Sequence, residues 1–306
     1  MKKIISVVGP TASGKTALSI GLAKEFNAEI VSVDSMQIYR LMNVGTAKVT
    51  SLEQQGIPHH MIDCFEPYEN CNVQKFISLA REAVDDVISR GKNCVLAGGT
   101  GLYVDHLISD TKFVDVPTDL ELREKLSQKK DDELWTMLEN YDPISFARLH
   151  YNDKKRIIRA LEVVLLTGKS IAYWDELSHL DSDPLDAVMI GLNFVDRDYL
   201  YERIEQRVDN MVQSGLVEEV KQLMQIEGFE GSTASAAIGY KEIISALKNG
   251  TPLEESIEKI KLNTRRYAKR QLTWFRRNKN IHWIDICRNT TSDDVLNLAV
   301  EIIQRS

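Results

Sequence analysis

The sequence predicts an α/β fold in which helices flank a parallel sheet and an all-helical domain is inserted into the chain. Short, β-branched apolar segments alternate with segments of helical period, and this alternation is typical of a doubly wound parallel sheet. The first strand–helix junction carries Gly9 to Thr16, Gly-Pro-Thr-Ala-Ser-Gly-Lys-Thr, which fits the pattern G-x-x-x-x-G-K-[ST]. Motif and context together indicate a P-loop NTPase-like core.

Three strands and two helices are predicted in the first third of the chain. The strands are short and apolar, as expected of strands covered on both faces; they are Ile4 to Val8, Glu29 to Val33 and Asn93 to Ala97. A helical pattern through Leu18, Leu22 and Phe26 follows the first strand. A second helix is predicted from Val73 to Arg90, where Gly91 supplies a C-terminal stop.

A helical pattern without strands begins near Val114. Helical period predicts three helices there: Leu120 to Leu126, Asp132 to Leu138 and Asp153 to Thr167. Asn152 or Asp153 can cap the last of them and Gly168 can end it. Residues 181–184, Asp-Ser-Asp-Pro, are predicted to form the return linker. The predicted division is a discontinuous core, residues 1–113 and 186–306, and a helical insertion, residues 114–185.

The sheet is predicted to resume after the insertion. Two further strands are expected, Ala187 to Phe194 and Ile281 to Ile286. Apolar residues at helical period predict four more helices: Tyr199 to Val212, Leu216 to Ile226, Leu253 to about Arg277 and Asp293 to Gln304.

Composition excludes several classes of protein. Apolar residues make up 43% of the 306 residues, which is ordinary for a chain with a buried core, and the N-terminal apolar run is too short for a signal peptide or membrane span. The four cysteines form no C-x-x-C pair, so a structural zinc site is not expected. Scattered cysteines suit a reduced compartment, and we expect a cytoplasmic, monomeric protein with no membrane contact.

The segment from Gly9 to Thr16 predicts a grip for a diphosphate or triphosphate. Its glycines let the backbone wrap around a phosphate with the amide groups pointing inward, and the helix N-terminus adds positive potential. Lys15 is expected to reach the outer phosphate oxygens and Thr16 to ligate Mg²⁺. The strand Asn93 to Ala97 leads into glycines and no carboxylate, which argues against a motor or switch ATPase.

Polar residues follow the second predicted strand, at the edge of the sheet where α/β proteins bind ligands. They are Asp34, Ser35, Met36 and Gln37, and Thr100 follows the third strand. Asp34 is a candidate general base or Mg²⁺ partner, and the alternative is that it only caps a turn. His59 and His60 are adjacent, so they do not share a face, and a structural loop role is predicted for them.

Two basic clusters stand out in a chain whose net charge is −7. The first lies between Lys259 and Trp283, without any acidic residue; its cations are Lys259, Lys261, Arg265, Arg266, Lys269, Arg270, Arg276, Arg277 and Lys279. The second opens a predicted helix and consists of Lys154, Lys155, Arg156 and Arg159. Like charges stacked on one helix face repel each other, so both clusters need an anionic partner or a solvated face. We favour contact with an RNA or DNA backbone.

Eight segments, in family order across nearly the whole chain, resemble the tRNA dimethylallyltransferases, also called tRNA isopentenyltransferases. They are GPTASGKT (9–16), VDSMQIYR (33–40), GTAK (45–48), GIPHHMID (56–63), GGTGLY (98–103), NDKKRIIRALEV (152–163), AIGYKEI (237–243) and TRRYAKRQLTWFRR (264–277). The resemblance is to the bacterial type, because the zinc-finger tail of eukaryotic relatives is absent. Two small departures, Tyr151 in place of a frequent proline and Leu107 to Asp110 without the usual glycine, do not touch the chemistry.

The resemblance implies a reaction: an allyl group of five carbons moves from dimethylallyl diphosphate, bound with Mg²⁺, to N6 of the adenine just 3′ of the tRNA anticodon. It also implies that Asp34 is catalytic and that Thr11 and Arg207 contact the diphosphate. The expected diphosphate grip is Gly9, Pro10, Thr11, Ala12, Ser13, Gly14, Lys15 and Thr16. The positions expected to contact tRNA, from the resemblance and the basic clusters, are Asp34, Ser35, Met36, Gln37, Thr100, Arg123, Lys155, Arg156, Ile157, Ile158, Arg159, Gly239, Tyr240, Lys241, Lys269, Arg270 and Arg276.

Three alternatives remain open from the residues. A small-molecule P-loop kinase explains the motif but leaves the basic clusters without a purpose. A prenyltransferase acting on free AMP or ATP does not need the helical insertion. A non-catalytic RNA-binding protein with a relic P-loop does not need Asp34.

Overall fold

A parallel sheet forms the centre of the larger of two units in this computed structural model, which describes residues 3–114, 116–178 and 183–306. Within these ranges six strands pair in parallel in the order β3-β2-β4-β1-β5-β6. The strands are β1 (Ile4–Val8), β2 (Ala28–Ser32), β3 (His59–His60), β4 (Asn93–Gly98), β5 (Ala187–Phe194) and β6 (Ile281–Ile286).

The first unit, residues 1–108 and 185–306, contains this sheet and α-helices that pack around it. They are α1 (Lys15–Glu25), α2 (Val73–Ser89), α3 (Gly101–Ile108), α9 (Arg197–Gln213), α10 (Leu216–Leu223), α11 (Tyr240–Asn249), α12 (Leu253–Phe275) and α13 (Ser292–Arg305). Every residue of β1 and β2 is buried, as expected of strands covered on both faces, and this includes the polar residues Ser6, Glu29 and Ser32. In the part of the chain that the structure describes, no helix has the length and apolar character needed to cross a bilayer.

The second unit, residues 109–184, is helical. Its helices are α4 (Leu120–Ser127), α5 (Asp131–Tyr141), α6 (Pro143–Arg148), α7 (Lys154–Thr167) and α8 (Ile171–Leu177). Leu134, Leu138 and Leu161 are among the residues that form its own apolar core. The observed boundaries follow residues 108 and 184, where 113 and 185 were predicted. Asp181 and Ser182 of the predicted linker lie outside the described residues.

Most predicted elements are confirmed, and the differences occur where local signals are weak. Strands β5 and β6 have the predicted bounds, and α7 has Asp153 as its N-cap and ends at Gly168. Helices α3, α6, α8 and α11, which have six to ten residues each, were not predicted. The second strand, predicted as Glu29 to Val33, is formed by Ala28–Ser32.

The order of the strands decides where the predicted site residues meet. Strand β4 lies between β1 and β2, with Val8 opposite Gly98 and Ser32 opposite Ala97. Because the three strands run in parallel, the segments after them emerge at the same edge of the sheet. These segments are the P-loop, the turn that starts at Asp34, and the turn of residues 98–101.

The histidine pair belongs to a short strand, so its assignment to a loop was wrong. His59 and His60 form β3 and pair with β2, although their role is structural as predicted. His60 Nε2 lies 2.7 Å from Glu29 Oε2, and Arg90 donates two hydrogen bonds to the same buried carboxylate. The bonds from Arg90 hold the pKa of Glu29 down at about 2, against the opposing effect of burial, with His60 contributing.

Replacing Glu29 with glutamine should lower the free energy of unfolding by about 1–3 kcal/mol, because Arg90 and His60 lose a charged acceptor. Since the folded pKa lies below the ordinary value of 4.5, this stabilisation is present above pH 4.5 and is lost as the pH falls toward 2. Urea titrations of both proteins at pH 7 and pH 3 measure the difference. The exposed Glu25→Gln change is the control, and an equal effect of both substitutions at pH 7 would contradict the assignment.

Candidate active site

The P-loop joins β1 to α1 and encloses the ammonium group of Lys15. Gly14 precedes α1 with φ of 95°, a left-handed conformation that glycine adopts without strain. Lys15 Nζ donates to the carbonyl oxygens of Gly9 at 3.0 Å and Pro10 at 2.7 Å. Burial, together with the charge of Arg207, lowers the pKa of Lys15 to about 7, and the charge of Asp34 opposes both effects.

Asp34 both caps a turn and faces the cavities, so the two alternatives for this residue are compatible. Its Oδ1 accepts hydrogen bonds from the backbone of Met36 at 2.8 Å and Gln37 at 3.3 Å. Its Oδ2 has no hydrogen-bond partner among the described residues. Asp34 and Lys15 line the same cavity, and their charges interact. The carboxylate is therefore held in place at one oxygen while the other remains available.

Arg207, on α9, lies close enough to Lys15 and Asp34 for their charges to interact. It lies 3.4 Å from the carbonyl oxygen of Thr46 through Nη2. Burial lowers its pKa, and the nearby Asp34 charge counteracts this. Two enclosed cations thus flank one carboxylate, which is the charge pattern of a site for an anion with more than one negative charge.

Two cavities meet at these residues. One, of about 770 Å³, is lined by residues 11–16 of the P-loop. The other, of about 340 Å³, has an apolar wall that includes Met211, Ile238 and Ile260. Both cavities are lined by Thr11, Asp34, Arg207 and Tyr267. A reactant gripped by the P-loop and a second reactant in the smaller cavity would therefore both be adjacent to Asp34.

The oxygen donors near the P-loop fit a magnesium ion that is shared with a phosphate. Thr16, Asp34 and the buried Ser19 line a third cavity of about 60 Å³, and the hydroxyl of Ser19 has no partner in the described part of the chain. Hydroxyl and carboxylate oxygens are ligands that Mg²⁺ accepts, and the ion usually keeps several waters and takes substrate phosphates. The described residues contain no group of three His, Cys, Asp or Glu that could hold a metal alone.

Glu219 on α10 holds a loop that forms one wall of the smaller cavity, and sequence analysis missed it. Its carboxylate accepts hydrogen bonds from three consecutive amides, those of Asn43, Val44 and Gly45, at 2.8, 2.8 and 3.1 Å. The hydroxyl of Tyr240 donates to it at 2.6 Å. Tyr240 was expected at the tRNA, but its side chain is fully buried. The structure corrects that expectation: the Tyr240 side chain supports the loop.

The other core residues expected at the tRNA lie mostly at the smaller cavity or on α12. Ser35, Met36, Gly239, Lys241 and Arg270 line the smaller cavity, while Gln37 lines the other two. Thr100 Oγ1 accepts from Ser35 N at 3.3 Å. Lys269 is exposed on α12, and Arg276 just beyond its end donates to Asn193 at 3.0 Å.

The basic helix is partly neutralised within the protein. Lys261 pairs with Asp209 at 2.8 Å and Arg265 pairs with Glu205, both on α9. The expected need for an anionic partner or a solvated face is therefore met inside the protein for these two cations, which leaves them out of the favoured nucleic-acid contact. Arg266, Lys269 and Arg270 are exposed and have no acidic partner within the described ranges, so they remain available.

The residues of the insertion that were expected to contact tRNA form two groups: some stabilise the insertion itself, and others remain exposed to solvent. Ile157 is buried in its core, so the expected tRNA contact cannot come from that side chain, whereas Ile158 is partly exposed. Arg123 and Arg159 bond to the fully buried carboxylate of Glu162, at 2.8 and 2.6 Å.

The remaining cations of the insertion's basic cluster lie near the start of α7. Lys154 pairs with Asp131, and Arg156 pairs with the N-cap residue Asp153. Lys155 is exposed without an ion-pair partner in the described parts of the chain.

Comparisons with known proteins agree on one family. The sequence pattern of the family described as IPP transferase matches residues 37–278. The chain is 48% identical over 286 residues to a tRNA dimethylallyltransferase of Thermoanaerobacter sp. (strain X514), covering 92% of this chain and 91% of that protein. It is 42% identical to the one of Anoxybacillus flavithermus, over 99% of this chain and 96% of that protein.

Solved structures give the same result. A tRNA isopentenylpyrophosphate transferase from Bacillus halodurans superimposes with a TM-score of 0.75 at 40% identity, over 100% of this chain and 97% of that one. A eukaryotic dimethylallyltransferase, described as acting on tRNA, gives a TM-score of 0.81 at 28% identity, over 100% of this chain and 80% of that one.

At pH 8, binding of inorganic pyrophosphate should take up more protons in the unchanged protein than in Lys15→Arg, by up to about one, because an anion beside Lys15 restores its ammonium form. Affinity should accordingly fall as the pH rises above 7. Calorimetry in two buffers of different ionisation enthalpy measures the uptake. The Lys15→Arg variant is the matched control, since its guanidinium stays charged, and identical proton uptake in both proteins would refute the pKa assignment.

Proposed function

Because this chain belongs to the IPP transferase family, we propose that its two joined cavities bring a prenyl diphosphate and a tRNA adenine together at Asp34. The enzyme transfers a dimethylallyl group from dimethylallyl diphosphate to N6 of the adenine 3′-adjacent to the anticodon and releases diphosphate. The observation that supports the assignment of roles is that Asp34 lies where the cavity of the P-loop and the smaller, partly apolar cavity meet.

The cavity of 770 Å³ is proposed to hold the diphosphate. Negative charge grows on the leaving diphosphate as the bond from carbon to oxygen breaks. The P-loop, Lys15 and Arg207 surround this position and are proposed to stabilise that charge, with Lys15 exchanging its bonds to the Gly9 and Pro10 carbonyls for bonds to the diphosphate. Thr11 lines both cavities and is proposed to contact the diphosphate on the side that faces the second reactant.

The smaller cavity is proposed to receive the adenine and the allyl group. Its apolar wall suits a five-carbon chain, and its polar edge suits a base. The N6 nitrogen forms a bond to C1 of the allyl group while the bond from C1 to the diphosphate oxygen breaks. One N6 proton is released in the same step, and Asp34 Oδ2, which has no partner among the described residues, is proposed to accept it.

Mg²⁺ is proposed as the cofactor. Thr16, with Asp34 nearby, would hold it against the diphosphate, where it supplies further neutralisation of the leaving charge. The residues of the chain perform the remaining tasks of gripping, orienting and proton transfer.

The RNA partner is proposed to be the anticodon stem-loop. The unpaired bases of such loops can be splayed out and taken into a pocket, as the enclosed position of Asp34 requires. In the core, Lys241, Arg270 and Lys269 offer cations to the backbone, and in the insertion Lys155 does. We place the reaction in the cytoplasm, and the described cysteines are all free thiols.

Replacing Asp34 with asparagine should lower kcat by about 10²–10⁴-fold, because the general base is lost while the turn keeps an oxygen acceptor for Met36 and Gln37. Transfer of labelled dimethylallyl to an unmodified anticodon stem-loop measures the rate. The dissociation constant for the stem-loop should stay within threefold of the unchanged protein. The exposed Asp186→Asn variant is the control, and loss of RNA binding by Asp34→Asn would contradict the assigned role.

Stem-loop affinity should fall steeply with salt, since cations that contact phosphates release counterions. Lys269→Ala and Lys155→Ala should each lower the log–log slope by about one. Lys125→Ala is the control, because Lys125 already pairs with Glu121. Titration at four salt concentrations measures the slopes, and slopes equal to that of the control would remove these lysines from the RNA contact.

A further inference from the structure

Gln271 is a buried amide whose two ends hold two different parts of the site. It lies on α12 and is 5% exposed. Its Oε1 accepts a hydrogen bond from the backbone of Thr11 in the P-loop at 2.8 Å. Its Nε2 donates to the carbonyl oxygen of Gly99 at 2.8 Å. The orientation of the amide is unambiguous, because a backbone N–H can only donate and a carbonyl can only accept.

The glycines of the turn after β4 are explained by the approach of α12. A Cβ on Gly99 would collide with Nε2 of Gln271, and a Cβ on Gly101 would collide with the ring of Trp274. Trp274 Nε1 also donates to Asp105 of α3 at 2.7 Å. This turn therefore needs glycine for close packing against one helix, and the packing leaves Gln271 little freedom to move.

Hydrogen bonds and covalent links connect this turn to the carboxylate of Asp34. Thr100 follows Gly99 directly, and its Oγ1 accepts from the backbone of Ser35 at 3.3 Å. Ser35 is the neighbour of Asp34. A connected path of hydrogen bonds and covalent links thus runs from the P-loop through Gln271 and the turn to Asp34, and it joins the ends of three strands.

We propose that Gln271 is a positioning residue that sets the spacing between the diphosphate grip and Asp34. The proposal rests on the proposed function, in which one group holds the leaving diphosphate and the other takes the proton from the attacking amine. Such a reaction depends on the distance between the two reactants, and a displacement of about 1 Å can lower the rate about 10²-fold. Gln271 lines the larger cavity but touches neither the reacting carbon nor the amine in this scheme, and its proposed action is through its hydrogen bonds to the backbone of Thr11 and Gly99.

Two substitutions separate the two hydrogen bonds. Gln271→Glu keeps an acceptor for Thr11 but loses the donor to Gly99, and Gln271→Met has nearly the same length and loses both. Gln222→Met, at an exposed position of α10, is the control for the change of side chain. Single-turnover rates with both substrates saturating report on positioning, because binding no longer limits them. Both Gln271 variants should be about 10²-fold slower than the unchanged protein, with the dissociation constant for the stem-loop within threefold.

The pH dependence of the single-turnover rate of Gln271→Glu distinguishes a positioning role from a general structural defect. Burial raises the pKa of a glutamic acid, and its protonated form regains an O–H donor for Gly99. The rate of the variant relative to that of the unchanged protein should therefore rise as the pH is lowered, whereas the relative rate of Gln271→Met should not. If either variant is unstable, Gly99→Ala tests the same contact from the other side and should give the same loss of rate.

The outcomes distinguish the two proposals. If the unchanged protein transfers no dimethylallyl group to the stem-loop, the proposed function fails. If the unchanged protein and Gln222→Met are active and the Gln271 variants match their saturating rates within threefold, the positioning role is overturned. A relative rate of Gln271→Glu that does not change with pH overturns it as well. A slow Gln271→Glu that recovers at low pH supports it.

Discussion

Two cations and one carboxylate enclosed at the edge of the sheet are the constraint on which the rest of the structure depends. Burial lowers the pKa of both Lys15 and Arg207, and Asp34 is the anion that counteracts this in each case. A single carboxylate does not balance two enclosed cations, so the protein tolerates a local excess of positive charge. The parallel strands hold the P-loop and Asp34 at a common edge, and a bound anion would relieve the repulsion between Lys15 and Arg207.

The parts of the site with local signals could be predicted from the sequence. The P-loop has a dense motif, and Asp34 follows an apolar strand, so both the residues and their common edge were predicted and found. Arg207 could be suggested only by family resemblance. It lies in the middle of a long helix, nearly two hundred residues beyond the P-loop, and no spacing connects it to the phosphate grip.

Residues that act through tertiary contacts to backbone atoms could not be predicted. Glu219 and Gln271 bind amides and carbonyls, and backbone groups leave no mark in composition or periodicity. The ion pairs of the basic clusters could not be predicted for the same reason. Sequence alone did not show that Asp209 and Glu205 of α9 neutralise two cations of α12. It also did not show that Glu162 binds Arg123 and Arg159. Charge runs indicate the presence of cations, but only the packing decides which of them face solvent.

The carboxylate of Glu219 occupies a loop that would otherwise be able to bind an anion. Three consecutive main-chain amides that converge on one acceptor make a concavity of the kind that captures phosphate in many proteins. Here the protein fills that concavity with its own side chain, and Tyr240 secures the occupant. Free phosphate therefore cannot bind the loop of residues 43–45 while Glu219 is in place. An internal carboxylate of this kind keeps a second anion-binding loop closed beside the smaller cavity.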